Sequence, residues 1–285
     1  MDICGRPDKR IVKCDSNPGV ISACPGGVGR NIAHDLRLLG ANVSLIAPVG
    51  GDLYGAELSE SCRALGIDMS MSPVFPDERT STYLYITDEH GDMQLAVADM
   101  GITKRITPQF LAQYIDSRIN TYSGVVFDVN IEAEALEYAA ERIRVPMYAD
   151  TVSTAKAPRI KNILQYLTAV KPNLIEAQTL TGKNRPEDCA AVLLDMGVKK
   201  VFISLGRSGM LAADCNEMLS IPCENCRIVN TTGAGDAAMA AIALADMCGL
   251  SLRETAAIGV KAGTLTCTDE SANSKKLSLL AKTED

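Results

Sequence analysis

Residues Asn230–Ala241 read NTTGAGDAAMAA: two threonines, then a Gly-Ala-Gly turn that meets an aspartate and runs straight into a helix-forming stretch. A glycine-rich turn that opens a helix leaves backbone N–H groups unpaired at the helix's positive end, where an anion is favoured. Gly233 and Gly235 carry no Cβ, so a phosphate can come close to their backbone. Asp236 follows at once. A carboxylate beside a bound phosphate is repulsive unless it has chemical work, and accepting a hydroxyl proton during phosphoryl transfer is such work. The plainer reading is that Asp236 charges a helix N-terminus, where aspartate is common. On this turn alone both readings stay open. The same residues also match the dinucleotide fingerprint G-x-G-x-x-A, with Glu254 18 residues beyond Asp236. That fingerprint needs its acidic residue at the end of a strand, whereas SLRETAAI around Glu254 reads as a helix start. No G-x-x-x-x-G-K-[ST] P-loop occurs.

Outward from this turn, apolar runs at 42–50 (NVSLIAPVG), 124–130, 145–150, 167–173 and 200–206 read as buried strands, with helical patterns between them. Val28, Ile32, Leu36 and Leu39 fall at helical spacing, and Ala56–Leu65 follows GGDLYG. The alternation predicts an α/β fold with a mostly parallel sheet flanked by helices. One segment breaks the rhythm: residues 80–100 alternate polar and apolar, turn at Asp88–Gly91 and alternate again, the pattern of an antiparallel hairpin with one exposed face. Residues 10–22 offer further short strands. We therefore expect a single domain over 1–285, with lid strands at about 10–22 and 80–98 forming a small β-sheet lid. The exposed hairpin face invites pairing, so a homodimer through the lid is expected.

Bulk properties narrow the partners. The 285 residues are 47% hydrophobic and 22% charged, with a formal charge of −7, which argues against a nucleic-acid or anionic-membrane surface. No apolar run is long enough to span a bilayer, and the opening MDICGRPDKR lacks a signal core, so a cytoplasmic protein is expected. The ten cysteines are scattered and read as reduced thiols. Only Cys223 and Cys226 are close, and the further ligands a zinc site needs are not at hand, with Cys215 nearby but His34 and His90 far off.

Three more stretches carry chemistry or merely turns. In PGGVGRNIAHDLRLLG (25–40), Gly26, Gly27 and Asn31 suit a polyhydroxylated ligand, or form a glycine turn with a solvent-facing amide. In KPNLIEAQTLTG (171–182), Asn173 and Glu176 share a helix face and suit hydrated magnesium with its phosphates, or form a helix cap. In ISLGRSGML (203–211), a strand, a glycine turn and a second strand suit a nucleotide, or a plain hairpin.

Taken in series, GGVGRN, KPNLIEA and NTTGAGDAAMAA resemble the signatures of the ribokinase family of sugar and nucleoside kinases, and the likeness covers nearly the whole chain. Within it, DSNPGVISACPGGVGRNIA, VGGDLYG, RTSTYLYI, ADMGIT, FDVNI, ADTVS and VNTTGAGDA look most like the pseudouridine-phosphorylating branch. The resemblance implies a ribokinase-like fold and an ATP- and magnesium-dependent kinase acting on a 5′-hydroxyl. It implies Asp236 as the base, with Gly233, Ala234 and Gly235 as the anion hole. Asn173 and Glu176 would organise magnesium, Glu176 through water, while Ser204, Gly206 and Gly209 would line the ATP site. Asp2, Gly26, Gly27 and Asn31 would hold the ribose, and Thr80, Ser81 and Thr82 would reach the substrate from the lid. Asn130, Asp150 and Lys156 would lie near the nucleobase. A monovalent cation such as potassium would sit by Asn230 and Thr232. A kinase for another ribosyl nucleoside or sugar, and a non-catalytic ligand-binding relative, are the alternatives. Such chains usually open with a full hydrophobic strand before the D-x-x-G that Asp2–Gly5 matches. Here Met1 stands where that strand's last residues should be, so an upstream segment, a partner strand or an impaired chain is expected.

Overall fold

A computed structural model of the protein describes residues 1–281. The chain divides into two compact units, Met1–Arg30 with Ser44–Arg105, and Asn31–Val43 with Ile106–Asp285. The first unit contains strands β1 (Asp2–Pro7) and β2 (Gly19–Cys24), and the chain then enters helix α1 (Val28–Leu38). It resumes with β3 (Val49–Gly50), α2 (Leu53–Ala64), β4 (Val74–Phe75), β5 (Thr82–Thr87) and β6 (Met93–Asp99). The second unit continues with α3 (Pro108–Ala112), β7 (Val125–Asp128), α4 (Ala133–Arg142), β8 (Met147–Asp150), β9 (Ala169–Lys171), α5 (Leu174–Thr181) and α6 (Pro186–Asp195). It closes with β10 (Lys200–Ser204), β11 (Met210–Ala213), β12 (Met218–Ile221), α7 (Ala234–Met247) and α8 (Leu252–Cys267).

The larger unit is built on a six-stranded sheet in the order β12-β11-β10-β9-β8-β7. Strands β7 to β10 run parallel, and β11 and β12 return antiparallel. Phe127, Tyr148, Ala149, Val170, Phe202 and Ile203 are buried along these strands, as expected of a parallel sheet covered on both faces. Helix α7 is apolar along its middle, where every residue from Ala237 to Ala243 is buried, so it is a core helix rather than an amphipathic one. Helix α8 can lie close against it because Gly259 has no Cβ, which would come within 2.7 Å of Ile242. Helix α8 opens with a capping box of Ser251 and Glu254, so Glu254 marks a helix start and not the end of a strand.

The smaller unit carries a four-stranded sheet in the order β2-β1-β5-β6. The expected hairpin is there as antiparallel β5 and β6. Two expectations are corrected. Residues 42–48 form no strand. They make an isolated bridge from Ser44 to Asp68, and Ala47 N donates to the Ser72 hydroxyl rather than to a ladder carbonyl. The segment 68–73 runs alongside but is bonded only at intervals, Leu45 N donating to Asp68 O and Val49 N to Pro73 O, and Pro48 removes a donor. Of the stretch 10–22, expected as a lid strand, only the end is a strand, β2 over Gly19–Cys24; residues 10–18 are irregular, because Asn17 and Asp15 hold that stretch in local side-chain turns.

Within the larger unit the buried Tyr148 hydroxyl donates to Asp246 Oδ2 at 2.7 Å, and Lys200 pairs with the other carboxylate oxygen. Burial, then the bond to Asp246, pushes the Tyr148 phenol well above its usual range. Replacing Tyr148 by Phe leaves a nearly buried carboxylate short of a donor. We expect a loss of about 1–3 kcal/mol, seen as a lower urea midpoint at unchanged slope.

Candidate active site

Strands β7, β8 and β9 end in register, so that Asp128 is paired with Asp150 and Asp150 with Lys171. Neighbouring strands lie about 4.8 Å apart, which sets two carboxylates and one ammonium in a row at the C-terminal ends of parallel strands, where open α/β sheets bind ligands. Asp150 and Lys171 are both buried, and Lys171 Nζ lies 3.0 Å from Asp150 Oδ2 as an ion pair, although that oxygen takes no well-angled hydrogen bond. Asp150 Oδ1 instead accepts from Val152 N at 2.8 Å. Val152 has φ of 61°, a left-handed conformation that is strained for a β-branched residue, beside this row of charges.

Asp236 enters the same neighbourhood on the first turn of α7, and Asn31 Nδ2 donates to its Oδ2 at 2.8 Å. Burial, reinforced by the charge of Asp150, pushes the Asp236 carboxyl up to about 7, against the opposing pull of the Asn31 amide and Lys171. For Lys171, burial works against the charged form, but the close negative charge of Asp150, with Asp236 and Glu176, outweighs it and raises the ammonium's pKa. A Cβ on Gly235 would stand 3.5 Å from Lys171 Nζ, so the ammonium lies alongside the glycine turn. Gly233 adopts a left-handed conformation at φ 81°, and a Cβ there would fall 2.1 Å from Ala272 O. Glycine is thus required at 233 by dihedral and by space together. The turn is braced by Thr232 N donating to Asn230 Oδ1 at 2.9 Å and by Asn230 Nδ2 donating to Glu270 O at 3.0 Å.

Other expected site residues are placed as follows. Asn130 donates from its backbone N at 2.7 Å and from Nδ2 at 2.5 Å to Asp128 Oδ1, and Lys156 donates to its side-chain oxygen. Burial, with the charge of Arg159, holds the Lys156 ammonium below its usual range against the attraction of Asp128 and Glu132. Asn173 and Glu176 form a capping box at the start of α5, and Glu176 Oε2 also accepts from Thr151 Oγ1 at 2.6 Å. Ser204 bridges to Asn173, its N donating to Pro172 O at 3.0 Å. Gly206 and Gly209 turn the β10–β11 hairpin, and a Cβ on Gly209 would strike Ile221 O of β12.

In the smaller unit, Gly26 is pressed against the Asp2 carboxylate, where a Cβ would fall 2.1 Å from Oδ2. Burial raises the Asp2 pKa, against the chain's own ammonium and Arg30. Gly27 has φ of 100° with open space around it. Thr80 is buried, and its hydroxyl donates to Asp52 Oδ1 at 2.6 Å while accepting from Gly50 N at 3.0 Å. It clips its own loop. Thr82 Oγ1 donates to Thr80 O, and Ser81 Oγ is buried without a partner among the described residues.

Sequence reasoning missed Lys171 and Asp128. Both had a signal: each is a charged residue at the C-terminal end of an otherwise apolar run.

Comparison with known proteins matches residues 3–278 to the pfkB family of carbohydrate kinases. The chain belongs to that family. It is 34% identical over 287 residues to the pseudouridine kinase of Escherichia coli K12, covering 98% of this chain and 91% of that protein. It is also 34% identical over 288 residues to the uncharacterized sugar kinase YeiI of the same organism, covering 98% of this chain and 78% of that one. A solved carbohydrate kinase from Agrobacterium tumefaciens superposes with a TM-score of 0.84 at 30% identity, over 98% of this chain and 92% of that one. The ribokinase-like α/β fold expected from the glycine signatures is therefore the fold observed, and the pfkB kinase assignment covers both units.

A buried carboxyl in this kinase that stays protonated to about 7 has a consequence for stability. In the unfolded chain Asp236 ionises near 3.8, so the stabilisation from the neutral form is fully present below that pH and is lost as pH rises through about 7. Asp236→Asn removes the buried charge. We expect it to melt above wild type at pH 8, with the gap closing toward pH 4, as followed by calorimetry at matched ionic strength.

Proposed function

We propose that this kinase transfers the γ-phosphoryl group of ATP to the 5′-hydroxyl of pseudouridine. The observation that carries the chemistry is a carboxyl at the start of α7 whose pKa is near 7, beside a buried ammonium. A general base is most effective when its pKa lies near the working pH. In this reading Asp236 takes the proton of the attacking hydroxyl, and the amides around Gly233, Ala234 and Gly235 hold the transferring group at the helix's positive end. Lys171 adds a fixed positive charge along that turn. Asp2, Gly26, Gly27 and Asn31 serve the ribose, Thr80, Ser81 and Thr82 the lid side of the substrate, and Asn130, Asp150 and Lys156 the nucleobase. Ser204, Gly206 and Gly209 serve the nucleotide.

Magnesium fits the donors present. Among the described residues no three His, Cys, Asp or Glu side chains converge as a metal site, and Glu176 is a buried carboxylate. A hydrated ion held mainly by the phosphates, with Glu176 reached through water, suits that set. Bound there, it would neutralise phosphate charge. Potassium is assigned to the turn at Asn230 and Thr232. No helix is long and apolar enough to cross a membrane, and we infer a cytoplasmic protein.

Support for pseudouridine is the 34% identity to a kinase of that name across nearly the whole chain. Equal identity to a sugar kinase favours a second reading, another ribosyl nucleoside or sugar as acceptor. An intact Asp236 in an unbroken GAGD turn speaks against a purely ligand-binding relative. The test is ATP consumption with pseudouridine, uridine, ribose and fructose, each with magnesium and potassium. Turnover on pseudouridine alone is expected, and preference for another acceptor replaces the substrate. Asp236→Asn should cut turnover by roughly 10²–10⁴-fold, and the wild-type rate should rise through a midpoint near pH 7 as Asp236 ionises. Near-wild-type turnover in that variant would falsify the assignment.

We further propose a homodimer through the four-stranded sheet. Register places Ala23, Ile3, Leu84 and Val97 in one row across its face and Ile21, Gly5, Ile86 and Leu95 in the next. Ile21, Leu84, Leu95 and Val97 of this face are exposed. An apolar sheet face of this kind is covered in a stable protein, and a second copy offers the matching apolar surface. Light scattering at micromolar concentration should give twice the chain mass, and Leu95→Glu should return it to one.

A further inference from the structure

Asp236 is held by Asn31, and Asn31 is itself held from outside its own helix. The segment after α8, Asp269–Ser274, forms a tight loop closed by Ser274 Oγ donating to Asp269 Oδ2 at 2.9 Å and Ser271 N donating to Asp269 Oδ1 at 3.4 Å. Ser274 is fully buried. This loop grips the catalytic turn twice, through Glu270 O, which accepts from Asn230, and through Ala272 O, which packs against Gly233. It also grips α1. Asn273 is buried, and its Nδ2 donates to Asn31 O at 3.2 Å and to Asp35 Oδ1 at 2.9 Å. Asn31 and Asp35 are four apart and share a helix face, so one carboxamide spans the turn that presents Asn31. Asn31 is itself buried, which leaves its side chain little freedom once its backbone is pinned.

We infer that Asn273 is a positioning residue for the general base: it pins the turn of α1 from which Asn31 donates to the Asp236 carboxylate. The inference rests on the role proposed for Asp236, and it adds a residue that never touches substrate. A hydrogen bond donated to a carboxylate favours its charged form, so the aim of Asn31 sets part of the proton affinity of Asp236. The other charged groups facing Asp236 are Asp128, Asp150 and Lys171 from the three strand ends. Asp35 lies one turn along α1, and Asp269 and Glu270 lie in the loop. All of these groups stay in place in an Asn273 variant; Asp35 alone loses a donor, and the Asn31→Ala background, where that loss persists, separates its effect from the aim of Asn31.

The experiment is a carbon-13 carboxyl NMR titration of the ligand-free full chain, with the Asp236 signal assigned by its loss in Asp236→Asn. In Asn273→Ala the midpoint should rise by roughly half to one pH unit, and kcat at pH 7 should fall about two- to five-fold, the deficit shrinking toward pH 9. In an Asn31→Ala background the same substitution should add no further shift. Should Asn273→Ala not fold, Asn273→Ser, which keeps a small polar side chain, takes its place with the same expected direction. A folded variant with a lower melting temperature but an unmoved Asp236 midpoint would overturn the inference and leave Asn273 a purely structural residue. The titration uses no substrate. A chain inactive on every acceptor would therefore count against the kinase reading, while an unmoved midpoint in an active variant counts against the positioning role alone.

Discussion

The buried ammonium of Lys171 faces the carboxylates of Asp150, Asp236 and Glu176, and the C-terminal edge of the larger sheet is organised around that imbalance. Taking a charge out of water is costly unless a partner stands close. Asp150 has the direct contact at 3.0 Å, so it claims the ammonium first. Asp236 is left with a weaker share, the charge of Asp150 pressing against it, and one amide donor from Asn31. Burial first, and then the charge of Asp150, defers its ionisation to about 7. Burial, with too little positive charge nearby to offset it, is what converts an ordinary acid into a group poised to take a proton near neutrality.

That electrostatic outcome depends on steric precision elsewhere. Asp236 sits where it does because α7 starts there, and α7 starts there because Gly233 can turn left-handed against Ala272 O. Behind that turn, α7 is embedded in apolar packing, with α8 brought close at Gly259. An apolar helix with a polar, glycine-built end delivers its positive end and one carboxylate to the sheet edge, while the rest of it holds the core. Stability and the proposed chemistry are then opposed at a single atom pair: the carboxylate that the reaction needs ionised is the one the fold prefers neutral.

Much of this could be read from the chain. The four parallel strands, the hairpin and the glycine turn into α7 each follow from local pattern, since apolar runs, strict alternation and helix-opening glycines are read over a few neighbouring residues. Asn173 with Glu176 could also be read as a pair, and the helix-capping alternative is realised as a capping box. Residues 42–48 could not, because an apolar run becomes a strand only if the fold bonds a neighbour to it continuously, and Pro48 sits within reach of any ladder it might join. The row Asp128, Asp150, Lys171 depends on register between strands separated by whole helices, which no local pattern encodes. Asn273 is less legible still. Its partners Asn31 and Asp35 lie 242 and 238 residues away, and an asparagine in TDESANSKK reads as an ordinary loop residue.

The same division explains why likeness to other kinases carries the chemistry further than the acceptor. The groups assigned to proton and phosphoryl transfer are held by backbone register, helix capping and one buried ion pair, and such a scaffold serves many acceptors. Choice among acceptors needs donors and acceptors left free to meet hydroxyls and base edges, since an unpaired buried polar group is what rejects the wrong ligand. Here the apparent candidates are not equal. The Thr80 hydroxyl is committed at both ends to Asp52 and Gly50, and Asn230 to Thr232 and Glu270. Ser81 Oγ, by contrast, is buried without a partner among the described residues and retains unspent hydrogen-bonding capacity. In the reading proposed above, Ser81 is therefore better placed to select the acceptor than Thr80, whose hydroxyl is spent within its own loop.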